Sequence, residues 1–298
     1  MIWSPTVSNA NNSDAVQIAR DLYNSDDADL FYRKVWGGED IHVGLYESES
    51  ELIAAASRRT VQQMAELAGE LTPDSRVIDL GAGYGGSMRY LAKHFGCNCI
   101  ALNLSEVENE RDRQMNRDAG LDNQIDVVEG DFASLDFPDE SFDLVWSQEA
   151  ILHSGDRDSV CAEAARVLKP GGRFVFTDPM QADDASSTAL QAIYDRLHLS
   201  SMASPSFYRT TLSAAGMREV VFKEHPEQLS RHYARVREVL VDQAEDLRER
   251  GMSADFIEKM KSGLTHWVEG GRNGVLTWGI FVFEKLPNDR IRKSADLP

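Results

Sequence analysis

The chain has 298 residues, 42% of them hydrophobic, which is enough for one α/β domain with additions. Its 31 Lys and Arg stand against 49 Asp and Glu, a formal net charge of −18, and so acidic a surface argues against a nucleic-acid substrate and against an anionic membrane. The three cysteines (Cys97, Cys99, Cys161) make no disulfide framework, no apolar run reaches the roughly 18 residues of a membrane span, and the N-terminus has no basic, apolar leader, so the expected setting is a reducing cytoplasm.

Residues 1–13 are polar and rich in Asn. Helical spacing of Val16, Ala19, Leu22 and Tyr23 after Ser13 and Asp14 predicts a helix over 14–35. A loop rich in Gly and aromatics covers 36–50, and a helix over about 49–69 leads into the first strand. Strands at 76–80, 98–102, 125–129, 142–147 and 173–178 alternate with helices, the pattern of a mostly parallel sheet with crossover helices. Helices follow at 183–202 and 205–215, then a strand at 218–224 and a last strand at 277–283. About fifty residues separate those two strands and read as helices 227–250 and 254–267. An insertion that long has a role: a lid over the ligand end of the sheet, or a dimerisation arm that would make the protein a homo-oligomer. The chain thus divides into a cap and loop (1–70), a core (71–225), an inserted helical unit (226–272) and the last strand with a tail (273–298).

The most informative stretch is Arg76-Val-Ile-Asp-Leu-Gly-Ala-Gly-Tyr-Gly-Gly86. An apolar strand carrying Asp79 runs into a turn of Gly81, Gly83, Gly85 and Gly86, and a helix follows. That unit is where α/β proteins hold nucleotides, because glycine lets backbone come close to a ligand. The glycine spacing alone also fits NAD. An NAD site, however, carries an acid about 20 residues on to hold the ribose, and here the second strand ends in uncharged Asn103. The acid before the turn resembles motif I of the class I S-adenosylmethionine methyltransferases. Val127-Val-Glu-Gly-Asp131-Phe132, Phe137-Pro-Asp-Glu-Ser-Phe-Asp-Leu-Val-Trp146 and Leu168-Lys-Pro-Gly-Gly-Arg-Phe174 resemble that family's later strand segments, in order. The resemblance implies a Rossmann-like, doubly wound, seven-stranded and mostly parallel sheet, with the last two strands antiparallel at its edge. It also implies S-adenosylmethionine as cofactor, held by Asp79, Gly81, Gly83, Asn103, Asp131 and Phe132; Gln148 is expected at the cofactor's methionine end or against the acceptor.

Outside the core, Phe31-Tyr-Arg-Lys-Val-Trp-Gly-Gly-Glu-Asp-Ile-His-Val-Gly-Leu-Tyr46, Gln148-Glu-Ala-Ile-Leu-His-Ser154 and Trp267-Val-Glu-Gly-Gly271 resemble segments of the sarcosine/dimethylglycine N-methyltransferases, which make glycine betaine. The resemblance implies a small amine acceptor. Tyr32, Trp36 and Tyr46 are candidates to face a methylated ammonium through cation–π contact, the alternative being ordinary packing of the N-terminal helix. Arg33, Arg209 and Arg272 are candidates to fork the acceptor carboxylate. His153 and His42 are the candidate catalytic residues, able to take a proton from the amine or to hold it. No His/Cys/Asp group has metal-ligand spacing. Two other readings stand beside this one: a natural-product C- or O-methyltransferase acting on a larger apolar molecule, and a non-catalytic or oxidoreductase user of the same fold.

Overall fold

The structure, a computed structural model, describes Arg20, residues 23–197 and residues 201–287. The proposed cap of the first helix (Ser13, Asp14) and its residues Val16, Ala19 and Leu22 lie outside the described residues, as does His198.

Nine strands are described: β1 (Arg76–Leu80), β2 (Asn98–Asn103), β3 (Ile125–Glu129), β4 (Phe142–Gln148), β5 (Leu168–Thr177), β6 (Met180–Gln181), β7 (Met217–Glu224), β8 (Leu276–Thr277) and β9 (Gly279–Lys285). Seven form one sheet in the order β3-β2-β1-β4-β5-β9-β7, and β6 pairs with β8 separately. The first five sheet strands run parallel, while β9 is antiparallel to both β5 and β7. Val77, Ile78, Asp79 and Leu80 of β1 are all buried, as expected for a central parallel strand covered by helices on both faces. Since β1 pairs with β2 on one side and β4 on the other, the winding direction reverses there. The crevice at the carboxyl ends of β1 and β4 is where this topology holds a ligand.

The α-helices are α1 (Asp26–Phe31), α2 (Ile53–Leu67), α3 (Gly86–Phe95), α4 (Glu106–Ala119), α5 (Arg157–Val167), α6 (Ser187–Leu197), α7 (Pro205–Ala214), α8 (Pro226–Asp242), α9 (Ala244–Glu249) and α10 (Ala254–Arg272). A π-helical turn over Tyr32–Trp36 continues α1. Their starts follow capping chemistry. Ser105 accepts from Glu108 N–H, Asp156 from Ser159 N–H, Ser204 from Phe207 N–H and Ser253 from Phe256 N–H.

Several boundaries differ from the sequence reading: the helix expected over 14–35 is interrupted at Asn24 and Ser25, where Ser25 caps α1, and the last strand is split at Trp278 into β8 and β9. The helix expected over 227–250 breaks at Gln243 (φ −98°, ψ 5°), which turns Ala244 and Leu247 into the core. The helix expected to stop at 267 continues through Gly270 and Gly271 to Arg272. Those glycines serve close packing: a Cβ on Gly270 would lie 2.6 Å from Leu276 Cδ1.

The insertion is locked to the loop before the core. His232 on α8 is fully buried, and its Nδ1 accepts from Gly44 N–H (3.2 Å) and meets the Tyr46 hydroxyl (2.9 Å). The Gln228 side chain accepts from Tyr46 N–H (3.0 Å) and donates to Tyr46 O (3.3 Å). Burial, and then the charge of His42, push the His232 pKa down to about 3. In the unfolded chain the same imidazole takes a proton near about 6.5. Its contribution to stability is therefore complete above that pH and is lost as pH falls toward about 3. His232→Gln is expected to cost about 2 kcal/mol at neutral pH. Measured by thermal unfolding, that deficit should shrink between about pH 7.5 and pH 4.5; a deficit that holds constant or grows would contradict the buried neutral imidazole.

Candidate active site

The glycine turn is shaped by steric limits. Gly81, Gly83 and Gly85 all have positive φ (87°, 54° and 70°), a region that side-chain-bearing residues avoid. Gly81 and Ala82 donate their N–H groups to Leu102 O (2.8 and 3.0 Å), which pins the turn to β2. A Cβ on Gly81 would collide with Ala150 after β4, and one on Gly85 with the Asp112 carboxylate. The turn therefore lies as close to the neighbouring chain as backbone can.

A cavity opens above it, at the switch between β1 and β4. Of the residues singled out in the sequence, Gly81, Gly83, Asn103, Asp131, Phe132, Gln148 and His153 line it together. Asp79 does not: it is buried beneath the turn, and burial, then the charge of Asp112, push its carboxyl well above the usual range. Asn103 Nδ2 donates to Glu108 Oε2 (2.9 Å). Glu108 lines the same cavity, is buried, and keeps its other oxygen without a hydrogen-bond partner among the described residues. Burial pushes it up to about 7; the Asn103 hydrogen bond lowers it and Asp29 raises it further. Gln148 Oε1 accepts from Ser87 Oγ (2.6 Å) and from Trp146 Nε1 (2.9 Å). That fixes the amide with its Nε2 as the unused donor.

These open valences suit S-adenosylmethionine. Glu108 Oε1 can accept from ribose hydroxyls and Gln148 Nε2 can donate to the amino-acid carboxylate, while Phe132 and Asp131 flank the cavity where an adenine would sit. Glu108 was absent from the sequence reading. Its signal was a carboxylate five residues past Asn103, in the first turn of a helix whose N-terminus favours negative charge.

On the other side of the cavity, His153 ends a short 3₁₀ turn (Ile151–His153). Its Nε2 lies 3.1 Å from the Tyr23 hydroxyl, and the two rings meet edge-on at 5.7 Å. Tyr23 also lines the cavity, and Tyr32 stacks behind it (5.5 Å, 25°). Glu149, a second residue missed from sequence, lines the cavity too. It has positive φ (51°). Its carboxylate accepts from Val43 N–H (3.1 Å) and Trp278 Nε1–H (2.6 Å). Burial raises its pKa, and His42 and those hydrogen bonds work against the rise.

The remaining candidates sit outside the cavity wall. Trp36 packs among His232, Tyr233 and Phe31 (4.9–5.9 Å). Tyr46 is buried against His232. His42 is buried, with Nδ1 3.4 Å from Val43 O and Nε2 3.9 Å from Asp40. Arg33 is exposed, 3.6 Å from Asp29. Arg209 pairs with Glu219 (2.8 Å) and lies over Phe222 at the far edge of the sheet, and Arg272 is exposed at the end of α10. Arg20 is the arginine that reaches the cavity, held by Glu106 and Glu129. No group of three or more His, Cys, Asp or Glu that could hold a metal occurs among the described residues, and no described helix is long and apolar enough to cross a membrane.

Residues 78–176 match the methyltransferase domain family Methyltransf_11. The chain is 56% identical over 271 residues to the sarcosine/dimethylglycine N-methyltransferase of Halorhodospira halochloris, covering 91% of this chain and 97% of that one. It is 49% identical over 275 residues to the dimethylglycine N-methyltransferase of Parasynechococcus marenigrum, covering 92% and 98%. The crystal structure of a candidate sarcosine dimethylglycine methyltransferase from Galdieria sulphuraria superposes with a TM-score of 0.84 at 41% identity, over 89% of this chain and 98% of that one. Identity at this level, over nearly the whole of both chains, places the protein in the family of S-adenosylmethionine-dependent sarcosine/dimethylglycine N-methyltransferases.

Proposed function

We propose that the protein methylates the nitrogen of sarcosine and dimethylglycine, toward glycine betaine. The observation that carries the reading is the cavity itself. One wall is a glycine turn with open ribose and carboxylate partners, and the other presents an imidazole–phenol pair, Tyr23 and His153. The acceptors named for its relatives agree with a small amine there.

The cofactor supplies a methyl group on positively charged sulfur, for in-line transfer to the acceptor nitrogen. The chain's own residues orient the reactants, exclude water and take away a proton. Glu108 and Asn103 hold the ribose end, and Gln148 the amino-acid end. The acceptor amine is protonated in neutral water, so its lone pair is free only once that proton leaves. The Tyr23 hydroxyl, 3.1 Å from His153 Nε2, is placed to pass that proton on: its oxygen takes the amine proton as its own O–H proton moves to Nε2. His42, Trp36 and Tyr46 support from behind, and the insertion covers the site as a lid, because its inner face packs on the loop before the core. Work in a reducing cytoplasm is supported by three buried free thiols.

Release of S-adenosylhomocysteine, with glycine, sarcosine, dimethylglycine, phosphoethanolamine and a phenol offered separately, tests the acceptor. Turnover is expected with sarcosine and dimethylglycine; turnover confined to the phenol would replace this reading with an O-methyltransferase. Tyr23→Phe should lower kcat/KM for the amine about tenfold and leave the Kd for S-adenosylhomocysteine unchanged. An equal loss in both would make Tyr23 a cofactor residue. Glu108 accepts hydrogen bonds best as the carboxylate, which forms above about pH 7. Affinity for S-adenosylhomocysteine, measured by calorimetry, should therefore rise with pH through that value. Glu108→Gln should bind about tenfold more weakly at about pH 8, with no such rise; the same slope in both proteins would remove Glu108 from the ribose site.

A further inference from the structure

Asp178 follows β5 directly, is fully buried and does not line the cavity. No part of the proposed chemistry uses it. Its two oxygens are nevertheless both committed. Oδ1 accepts from the backbone N–H of Leu152 (3.1 Å), and Oδ2 accepts from the hydroxyl of Tyr208 (2.7 Å), itself fully buried on α7. Leu152 is the middle residue of the 3₁₀ turn that ends in His153. Its carbonyl is held as well, by Arg157 Nη2 at 3.0 Å. The residue before His153 is thus gripped at both its N–H and its C=O by side chains from two other elements.

Holding a carboxylate there is unfavourable. Burial pushes Asp178 up to about 7, against the Tyr208 hydroxyl and the field of Arg157, while the charge of Glu149 raises it further. A buried polar group that costs this much, bonded at both oxygens, points to a geometric task. The turn's own backbone bonds run from His153 N–H to Ala150 O (3.0 Å) and from Ser154 N–H to Ile151 O (2.9 Å), and neither engages Leu152. The hold on Leu152 therefore comes from outside the turn.

We propose that Asp178 is a positioning residue for the acceptor side of the site: by gripping the Leu152 backbone it sets His153 against Tyr23. Tyr208 keeps the carboxylate turned toward Leu152, and Arg157 closes the grip from the other side. The inference rests on His153 acting on the acceptor, but its own claim, the placement of the imidazole, is read without any acceptor.

The test compares Asp178→Asn with Asp178→Leu. The two share one branched heavy-atom skeleton, and only the first keeps an oxygen facing Leu152 N–H. In protein labelled with ¹³C-histidine, the His153 resonance, assigned with His153→Gln, should stay near its wild-type position in Asp178→Asn. In Asp178→Leu it should move, toward its position in Tyr23→Phe. The kcat/KM for sarcosine or dimethylglycine should remain within about threefold of wild type in Asp178→Asn and fall about thirtyfold in Asp178→Leu, with the Kd for S-adenosylhomocysteine unchanged in both. A His153 resonance unmoved in Asp178→Leu, or equal kcat/KM losses in the two variants, would overturn the proposal. Should Asp178→Leu not fold, Tyr208→Phe frees the carboxylate to rotate. It is expected to shift the same resonance in the same direction, and an unshifted one again overturns the assignment. If wild-type protein methylates none of the amines, the acceptor reading fails while the resonance still decides whether Asp178 places His153.

Discussion

The joint between Glu149, Val43 and Trp278 decides whether the cavity has walls. One carboxylate at the end of β4 accepts from the backbone of the loop before the core and from the indole just ahead of β9. Three segments more than a hundred residues apart in sequence meet at two oxygens. The residue takes up a positive φ of 51° to do so, a conformation a non-glycine residue keeps only where its surroundings over-determine it. The crevice that the strand order leaves at β1 and β4 is general to this topology. Closing it into a site needs this joint, because neither the loop nor the insertion belongs to the sheet.

Glu149 and Glu108 stand in the walls of this crevice and Asp178 behind them, with Asp79 buried beneath the glycine turn. Burial raises Glu108, Glu149 and Asp178 alike, and none is ion-paired to a Lys or Arg among the described residues. The chain has met the cost with neutral donors: an amide, an indole, two backbone N–H groups and a phenol. Glu108 and Glu149 line the cavity, and Glu108 keeps one oxygen without a partner among the described residues, while Asp178 turns both of its oxygens to Leu152 and Tyr208. Groups fixed in this way by neutral donors stay in place when a ligand arrives.

The core was legible in the sequence because its signals are local. Continuous apolar runs give parallel strands, and contacts with Ala150 and Asp112 leave no room for side chains at Gly81 and Gly85, so the composition of that turn follows directly from its packing. What escaped depends on contacts between distant segments. Glu108 looks like any surface acid on a helix until Asn103 folds beside it. The arginines were chosen for their chemistry, and no local pattern tells Arg209, committed to Glu219 and two aromatic rings at the far edge, from an arginine in the site. Gly270 and Gly271 carry the composition of a helix stop. They continue the helix because Leu276 and Ile193 press too close for a side chain at Gly270.

The two stretches that carried the likeness to betaine-forming enzymes, the aromatic loop before the core and Trp267 with its neighbours, are far apart in sequence yet form one layer in space. Trp267 stacks on Tyr233 (4.9 Å, 18°), Tyr233 meets Trp36 edge-on (5.9 Å), and Trp36 donates to the carbonyl of His42. Ser253 at the start of α10 binds Asp27 through both its N–H and its hydroxyl. Trp36, Tyr233 and Trp267 are thus spent on one another, outside the cavity wall. They tie the N-terminal segment to the insertion, and Tyr32, set between Trp36 and Tyr23 (5.4 and 5.5 Å), carries the contact on to the ring that meets His153.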